Sequence, residues 1–275
     1  MERKLVKQGR NALTVTLPAK WLKEKRLKAG DAVNVAERNK ELVIGTQMTS
    51  AKKEATLDLR DCERSMIYHA VQGKYIEGYD TITILHNNPK IAQEQASWLL
   101  GMIIESHTPT RTVLKSIVSV PEENFYAVLR RAAHILLQQA RTLELVVQKK
   151  ASPEDVKTDE RLLDYNLLYC LRYLNKYENS EKAYKYFLLC STLESAGDRM
   201  SQIAKHIGTR KELAARIVKG VEEYTANLFT NNFQKMYASL RAFRNSLDTK
   251  TFVDGLVFSM AEELYNYIGY IVEEK

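Results

Sequence analysis

Residues 12–35, ALTVTLPAKWLKEKRLKAGDAVNV, combine strand, helix and strand signals around a cluster of positive charge. The stretch begins with apolar residues that alternate with threonines, a pattern typical of a half-buried strand. Pro18 ends that strand and suits the first turn of a helix, whose short apolar stripe lies among lysines and arginines. Gly30 and Asp31 form a turn, after which a strand resumes and another follows at 42–44. The pattern predicts a small module of strands around one basic helix.

The excess positive charge of the chain is confined to this module. Residues 1–53 contain 13 Lys and Arg against 5 Asp and Glu, a net charge of +8, whereas the remainder holds 28 and 29. A positive field on one small module favours a polyanion such as DNA as its partner, bound with an affinity that falls steeply with salt. From charge alone, a solvated lysine-rich surface explains the excess equally well.

The module is also too short for a large core. Chains below about 40 to 60 residues usually need disulfides, a metal or oligomerisation for stability, and the sequence offers neither of the first two here. We therefore expect a homodimer whose N-terminal strands interleave.

Three short motifs, Gly9-Arg10, Leu17-Pro18 and Leu27-x-x-Gly30-Asp31-x-Val33, resemble the SpoVT-AbrB family of swapped-hairpin DNA-binding domains over about the first 46 residues. The resemblance implies a DNA-binding domain over 1–47. It also places basic residues of this chain where the family contacts DNA, and neighbouring basic residues complete the candidate set. The candidate DNA-binding residues are Arg3, Lys4, Lys7, Arg10, Lys20, Lys23 and Arg26.

A polar stretch at 47–54 separates this module from a second predicted domain over 52–120. Strand and helix patterns alternate there and predict a small α/β domain of βαβαβ type. The predicted strands are 55–59, 81–85 and 111–117, and the predicted helices are 62–76 and 89–105. This region has no glycine-rich phosphate loop and no nucleophile elbow, so we expect it to serve connection or assembly.

Residues 121–275 are helical in pattern almost throughout, which makes the chain mainly α as a whole. Breaks at 151–153, 178–180, 208–209 and 248–249 predict five helices, and the short connections predict an antiparallel bundle. Since no apolar run approaches about 20 residues, we expect no membrane insertion. Three cysteines without a C-x-x-C spacing and a charged, non-signal-like N-terminus are typical of a cytoplasmic protein.

Two carboxylate pairs occur in the predicted bundle, Glu160 with Asp164 and Glu194 with Asp198. The i, i+4 spacing puts each pair on one helical face, where like charges repel unless a cation or an arginine lies between them. If both pairs face a shared groove, four oxygen donors could hold a hard or borderline cation. The alternative is that Arg161 or Arg199 neutralises them, and spacing alone favours it.

The wider context is 193–198, LESAGD, followed by 203–207, IAKHI, and preceded by 159–164, DERLLD. These segments resemble the helix motifs of the PhoU family of phosphate uptake regulators, loosely over residues 122–275. The resemblance implies a metal ion (Fe, Mn, Zn or Mg) held by Glu160, Asp164, Glu194 and Asp198. It also implies two three-helix repeats. The second repeat here looks degraded, because a predicted helix over 211–247 runs into 250–273 and lacks the second carboxylate pair, so we expect at most one full metal cluster.

Together the two resemblances predict a cytoplasmic, homodimeric transcription regulator of phosphate uptake and homeostasis, with a DNA-binding module and a metal-binding PhoU-like bundle. The alternative is an adaptor that binds a phosphate transporter ATPase or a sensor kinase without sequence-specific DNA binding. Paired carboxylates could also support acid–base or di-metal hydrolysis. The chain shows no phosphate loop, nucleophile or base constellation, so we do not expect an enzyme.

Overall fold

The computed structural model describes residues 2–10, 12–38, 41–45, 52–117, 122–178, 181–230, 232–247 and 249–271. Over these residues the chain is mainly helical, with nine helices and three small sheets. It divides into two compact units, residues 1–52 and 53–275. Most of the predicted linker at 47–54 lies outside the described residues, as do parts of the predicted breaks at 178–180 and 248–249.

The first unit consists of two hairpins and one short helix. Strands β1 (Val6–Gln8) and β2 (Ala12–Thr14) pair antiparallel, helix α1 spans Ala19–Glu24, and β3 (Asn34–Arg38) pairs antiparallel with β4 (Glu41–Gly45). The strand predicted to end at Pro18 is shorter than expected. It corresponds to β2, which ends at Thr14, where its pairing with the three residues of β1 also ends. The expected thin core is confirmed, since no described side chain of this unit is buried.

The second unit begins with a four-stranded sheet and two helices. Its elements are β5 (Glu54–Asp58), α2 (Arg64–Ile76), β6 (Thr81–Leu85), α3 (Pro89–Ser97), β7 (Met102–His107) and β8 (Arg111–Ser116). The strand order is β5-β6-β8-β7, in which only β5 and β6 are parallel.

The prediction of a βαβαβ unit is therefore wrong in its second half, where the helix expected over 89–105 is cut short. Asn88 caps the start of α3 by accepting a hydrogen bond from the Lys90 amide at 3.1 Å. The helix ends at Ser97, and Gly101 takes a positive φ of 79° that turns the chain into β7. The β-branched pair Ile103 and Ile104 then suits a strand better than a helix.

The remainder of the second unit is a helical bundle. Its helices are α4 (Glu122–Val147), α5 (Pro153–Tyr177), α6 (Glu181–His206), α7 (Lys211–Leu228), α8 (Phe233–Asn245) and α9 (Phe252–Ile271). The prediction of five helices is wrong, because the helix expected over 211–247 is two helices. The Asn232 side chain accepts a hydrogen bond from the Lys235 amide at 3.3 Å and so starts α8 as its N-cap.

We call the four-stranded sheet together with α2 and α3 the sheet-bearing layer. It contacts the bundle where α2 packs on α5. Leu168 of α5 packs into the apolar core of that layer with Ile67, Val71 and Tyr75. Further along α5, the guanidinium of Arg172 donates a hydrogen bond of 2.8 Å to the carbonyl oxygen of Tyr75. Within the described residues, no helix has the length and apolar character that crossing a membrane requires.

Candidate cation-binding cleft

A cleft of about 1060 Å³ lies between the sheet-bearing layer and the bundle. Helices α2 and α3 form one wall, and α5 and α6 form the other. All four carboxylates singled out in the sequence line this cleft: Glu160 and Asp164 from α5, and Glu194 and Asp198 from α6. We refer to these four residues as the acidic cluster. The structure thus brings both predicted pairs into one groove, with the neighbouring Leu163 and Leu193 buried in the bundle core.

Neither nearby arginine forms an ion pair with the acidic cluster. Arg161 pairs with Glu154 on its own helix at 3.2 Å. Arg199 turns to α9, where its Nε donates to the Glu263 carboxylate at 3.1 Å. The ion pair within the cluster comes from Lys157, whose ammonium group contacts Glu160. Among the described side chains, Arg161 and Arg199 thus form their ion pairs outside the cluster, although the charge of Arg199 still lowers the pKa of Asp198.

Glu160 and Asp164 each hold a buried oxygen that lacks a donor. The Glu160 side chain is only 2 % exposed, and Lys157 contacts just one of its two oxygens. No described group donates a hydrogen bond to Oε2 of Glu160 or to Oδ1 of Asp164. Leaving a buried acceptor unpaired is costly, so both atoms are suited to a bound cation or donor.

The cluster also disfavours its own ionisation. Burial, together with the charges of Glu160, Glu194 and Asp198, raises the pKa of Asp164 to about 7. Glu194 and Asp198 reach solvent at the mouth of the cleft, yet partial loss of hydration raises the pKa of both, and neighbouring carboxylates raise them further. The cleft therefore holds negative charge that Lys157 balances only in part.

Behind the cluster, a buried glutamine fixes α5 and α6 against α4. The Gln139 amide donates to the carbonyl oxygen of Gly197 at 2.9 Å and to that of Val156 at 3.3 Å. Gly197 lies between the two carboxylates of α6, and a Cβ there would meet Leu163 Cδ2 at 2.6 Å. The glycine thus lets α5 and α6 approach closely where they carry the cluster. Gln139 carries no sequence signal that distinguishes it from a surface glutamine.

Sequence reasoning missed the wall formed by the sheet-bearing layer. Tyr68, His69 and Gln72 of α2, with Trp98 at the end of α3, line the cleft opposite the acidic cluster. Tyr68 and Gln72 have the same i, i+4 spacing as the carboxylates, which is a signal the sequence did contain. Asp159, next to Glu160 in the sequence motif, faces elsewhere and accepts a hydrogen bond from Thr142 at 2.6 Å.

The candidate DNA-binding residues all lie in the first unit and are all exposed. Lys20 and Lys23 are on α1, Lys7 is on β1, and Arg10 follows the Gly9 turn, where φ is 73°. Arg3 and Lys4 precede β1, and Arg26 follows α1. The seven side chains are therefore available to a partner.

The four carboxylates have the hard oxygen donors that a metal such as Mg²⁺ or Mn²⁺ prefers. As the side chains stand, no group of three or more His, Cys, Asp or Glu residues in the described part of the chain is arranged to hold a metal ion. Comparisons of the chain with protein-family models, with curated proteins and with solved structures found no match.

Proposed function

We propose that this protein is a homodimeric, DNA-binding transcription regulator of phosphate uptake and homeostasis, with a cation-binding cleft in a PhoU-like bundle. The observation that carries the proposal is the segregation of charge between the two units. Seven exposed basic side chains lie on a unit in which no described side chain is buried, and four carboxylates gather in a cleft of the other unit.

Exposure and charge support the DNA-binding part. Lysine and arginine side chains contact DNA phosphates, and an exposed basic module of this size can place several of them on one duplex. Arg3, Arg10 and Lys23 would contact phosphates or groove edges at the positions that the SpoVT-AbrB resemblance indicates.

The homodimer is supported by apolar side chains that the first unit leaves uncovered. Leu13 on β2 is 62 % exposed and Leu42 on β4 is 70 % exposed. A second copy of the module would cover such residues and supply the core that one copy lacks. The dimer axis would then set the spacing of two DNA half-sites.

Helix count and donor chemistry support the PhoU-like part. The described residues of the bundle form six helices, the number that two three-helix repeats require. A metal ion (Fe, Mn, Zn or Mg) would be held by Glu160, Asp164, Glu194 and Asp198, and the donorless oxygens of Glu160 and Asp164 favour this position. On α9, Glu262 is paired with Arg244 at 3.2 Å and Glu263 with Arg199, which supports one cation site rather than two.

Crosslinking and immunoprecipitation of the full-length protein from cells grown at high and low phosphate tests the regulatory function. We expect enrichment of promoters of phosphate-uptake genes that changes with phosphate and is lost in Arg3→Ala/Arg10→Ala. The matched control, Lys211→Ala/Lys235→Ala, removes two exposed lysines of the bundle and should leave enrichment intact. Equal enrichment by both double variants would contradict DNA binding by the basic module.

The adaptor function remains a second candidate because α6 carries exposed aromatic residues. Tyr184 and Phe187 lie one turn apart, and Tyr184 is 62 % exposed. Aromatic side chains of this kind are enriched in protein interfaces, where a phosphate transporter ATPase or a sensor kinase could dock. Retrieval of either partner by the wild type but not by Tyr184→Ala/Phe187→Ala, with promoter occupancy absent, would favour the adaptor.

A further inference from the structure

The wall of the cleft opposite the acidic cluster carries a phenol, from Tyr68 on α2. Tyr68 lies 92 residues or more before the carboxylates in sequence, and packing of α2 on α5 brings them together. A half-buried tyrosine that faces a cluster of carboxylates can donate its O–H to one of them. Asp164 Oδ1 is a buried acceptor that lacks such a donor.

The Tyr68 hydroxyl is partly buried and lies close enough to the acidic cluster for the charges of the cluster to affect it. Burial raises its pKa, and the charges of Asp164, Glu194 and Glu160 raise it further, so three of the four carboxylates lie near enough to act on it. The Gln72 side chain, one turn along α2, acts on this pKa in the opposite direction, and the His69 ring packs edge-on against the Tyr68 ring at 5.6 Å between centroids. The phenol is thus kept protonated, and its ring packs against a neighbour on its own helix.

We propose that Tyr68 is a positioning residue for the cation site, orienting a carboxylate of the acidic cluster by hydrogen bonding when a divalent cation binds. This proposal rests on the cation site of the proposed function and adds to it a residue from outside the bundle. Side chains that orient metal ligands typically contribute about 10- to 100-fold to metal affinity. A consequence is that cation binding links the sheet-bearing layer to the bundle, since α2 then holds part of the site.

Titration of the full-length protein with Mn²⁺ tests the proposal. Trp98 lines the cleft, and the chain has one other tryptophan, Trp21. The Trp21→Phe protein therefore reports the fluorescence of Trp98 alone. In that background we expect Tyr68→Phe to weaken Mn²⁺ binding roughly 10-fold. It should leave the melting temperature of the metal-free protein within about 2 °C. The matched control, Tyr237→Phe, changes an exposed tyrosine of α8 outside the cleft and should bind Mn²⁺ as the parent does.

A second readout distinguishes positioning from packing. In the parent protein Mn²⁺ should slow hydrogen exchange of the α2 amides, and this protection should be reduced in Tyr68→Phe at saturating Mn²⁺. Unchanged affinity and unchanged α2 protection in Tyr68→Phe would overturn the role of Tyr68 while leaving the cation site intact. Absence of Mn²⁺ binding by the parent itself would instead overturn the cation site, and the role of Tyr68 with it.

Discussion

Arg172 of α5 donates a hydrogen bond of 2.8 Å to the main-chain carbonyl of Tyr75, at the end of α2. Its guanidinium also lies 4.9 Å from the centre of the Tyr75 ring and 3.5 Å from the Asp80 carboxylate, which Lys176 contacts as well. These contacts lie beside the cleft, because Ile76 and Leu171, the chain neighbours of Tyr75 and Arg172, line it. The buried polar contacts therefore hold the two walls of the cleft in register.

We expect Arg172→Met to destabilise the second unit by about 2–3 kcal/mol, because the Tyr75 carbonyl loses its donor in a buried place. The methionine retains part of the apolar stem, so the loss is mainly polar. Urea denaturation of the full-length protein measures the change. The control, Arg141→Met, removes a surface ion pair with Glu222 and should cost within about 0.5 kcal/mol. Equal small losses in both variants would show that the Arg172 contacts do not fix the interface.

Replacement of Gly197 tests the close approach of α5 and α6. A Cβ at this position would lie 2.6 Å from the buried Leu163 side chain, so we expect Gly197→Ala to destabilise the protein by about 1–3 kcal/mol through overpacking. Gly255 of α9 is the matched control, because a Cβ there would meet nothing within 4 Å. Gly255→Ala should instead stabilise by up to about 1 kcal/mol, through helix propensity alone. Thermal melts of the two variants should shift in opposite directions.

Local signals in the sequence predicted the capped start of α5 but not that of α8. The Asp155 carboxylate accepts a hydrogen bond from the Ser152 amide at 2.7 Å, as expected for a helix that begins at Pro153. The cap at Asn232 carries the same kind of signal but lacks a proline, and it stands between two strongly helical segments. The sequence pattern therefore continued the helix through it.

The acidic cluster was partly predictable from local spacing in the sequence. The i, i+4 spacing puts two carboxylates on one face of each helix whatever the fold, but the facing wall depends on which helix packs on α5. Tyr68 approaches Asp164 across 96 residues of sequence, and no local rule relates such positions. The partners of Arg161 and Arg199 were equally open, since Arg161 pairs with Glu154 two turns earlier on α5 and Arg199 pairs with Glu263 of α9.

The uncovered apolar side chains of the first unit predict how the protein assembles. If a second copy covers Leu13, then Leu13→Lys places a charge in a buried interface and should shift the full-length protein from dimer to monomer. Analytical ultracentrifugation at micromolar concentration measures the change. Met66→Lys, at an apolar residue of α2 that is 57 % exposed, should leave the mass unchanged. A wild type that sediments as a monomer, or a Leu13→Lys protein that stays dimeric, would contradict the proposed interface.

The raised pKa of Asp164 predicts that the metal-free protein loses stability as pH rises. An unfolded chain releases this proton near pH 3.8, whereas the folded protein retains it until about pH 7. Between these values the unfolded state binds fewer protons, so the free energy of unfolding falls through this window and levels off above it. A pKa difference of this size corresponds to at most about 4 kcal/mol of unfolding free energy. Burial is its largest cause, the charges of Glu160, Glu194 and Asp198 add to it, and the charge of Lys157 opposes it.

Asp164→Asn keeps the size of the side chain and removes its charge. In EDTA we expect it to match the wild type near pH 4 and to exceed it by about 1–4 kcal/mol at pH 7.5, measured by urea denaturation across the pH range. Asp61→Asn, at an exposed aspartate outside the cleft, should follow the wild type at every pH. If Asp164→Asn is no more stable than the wild type at pH 7.5, the carboxylate does not carry the penalty that its burial implies. If Asp164→Asn is more stable as expected, saturating Mn²⁺ should narrow or reverse its advantage in unfolding free energy over the wild type, because a bound cation offsets the burial penalty only where the carboxylate remains.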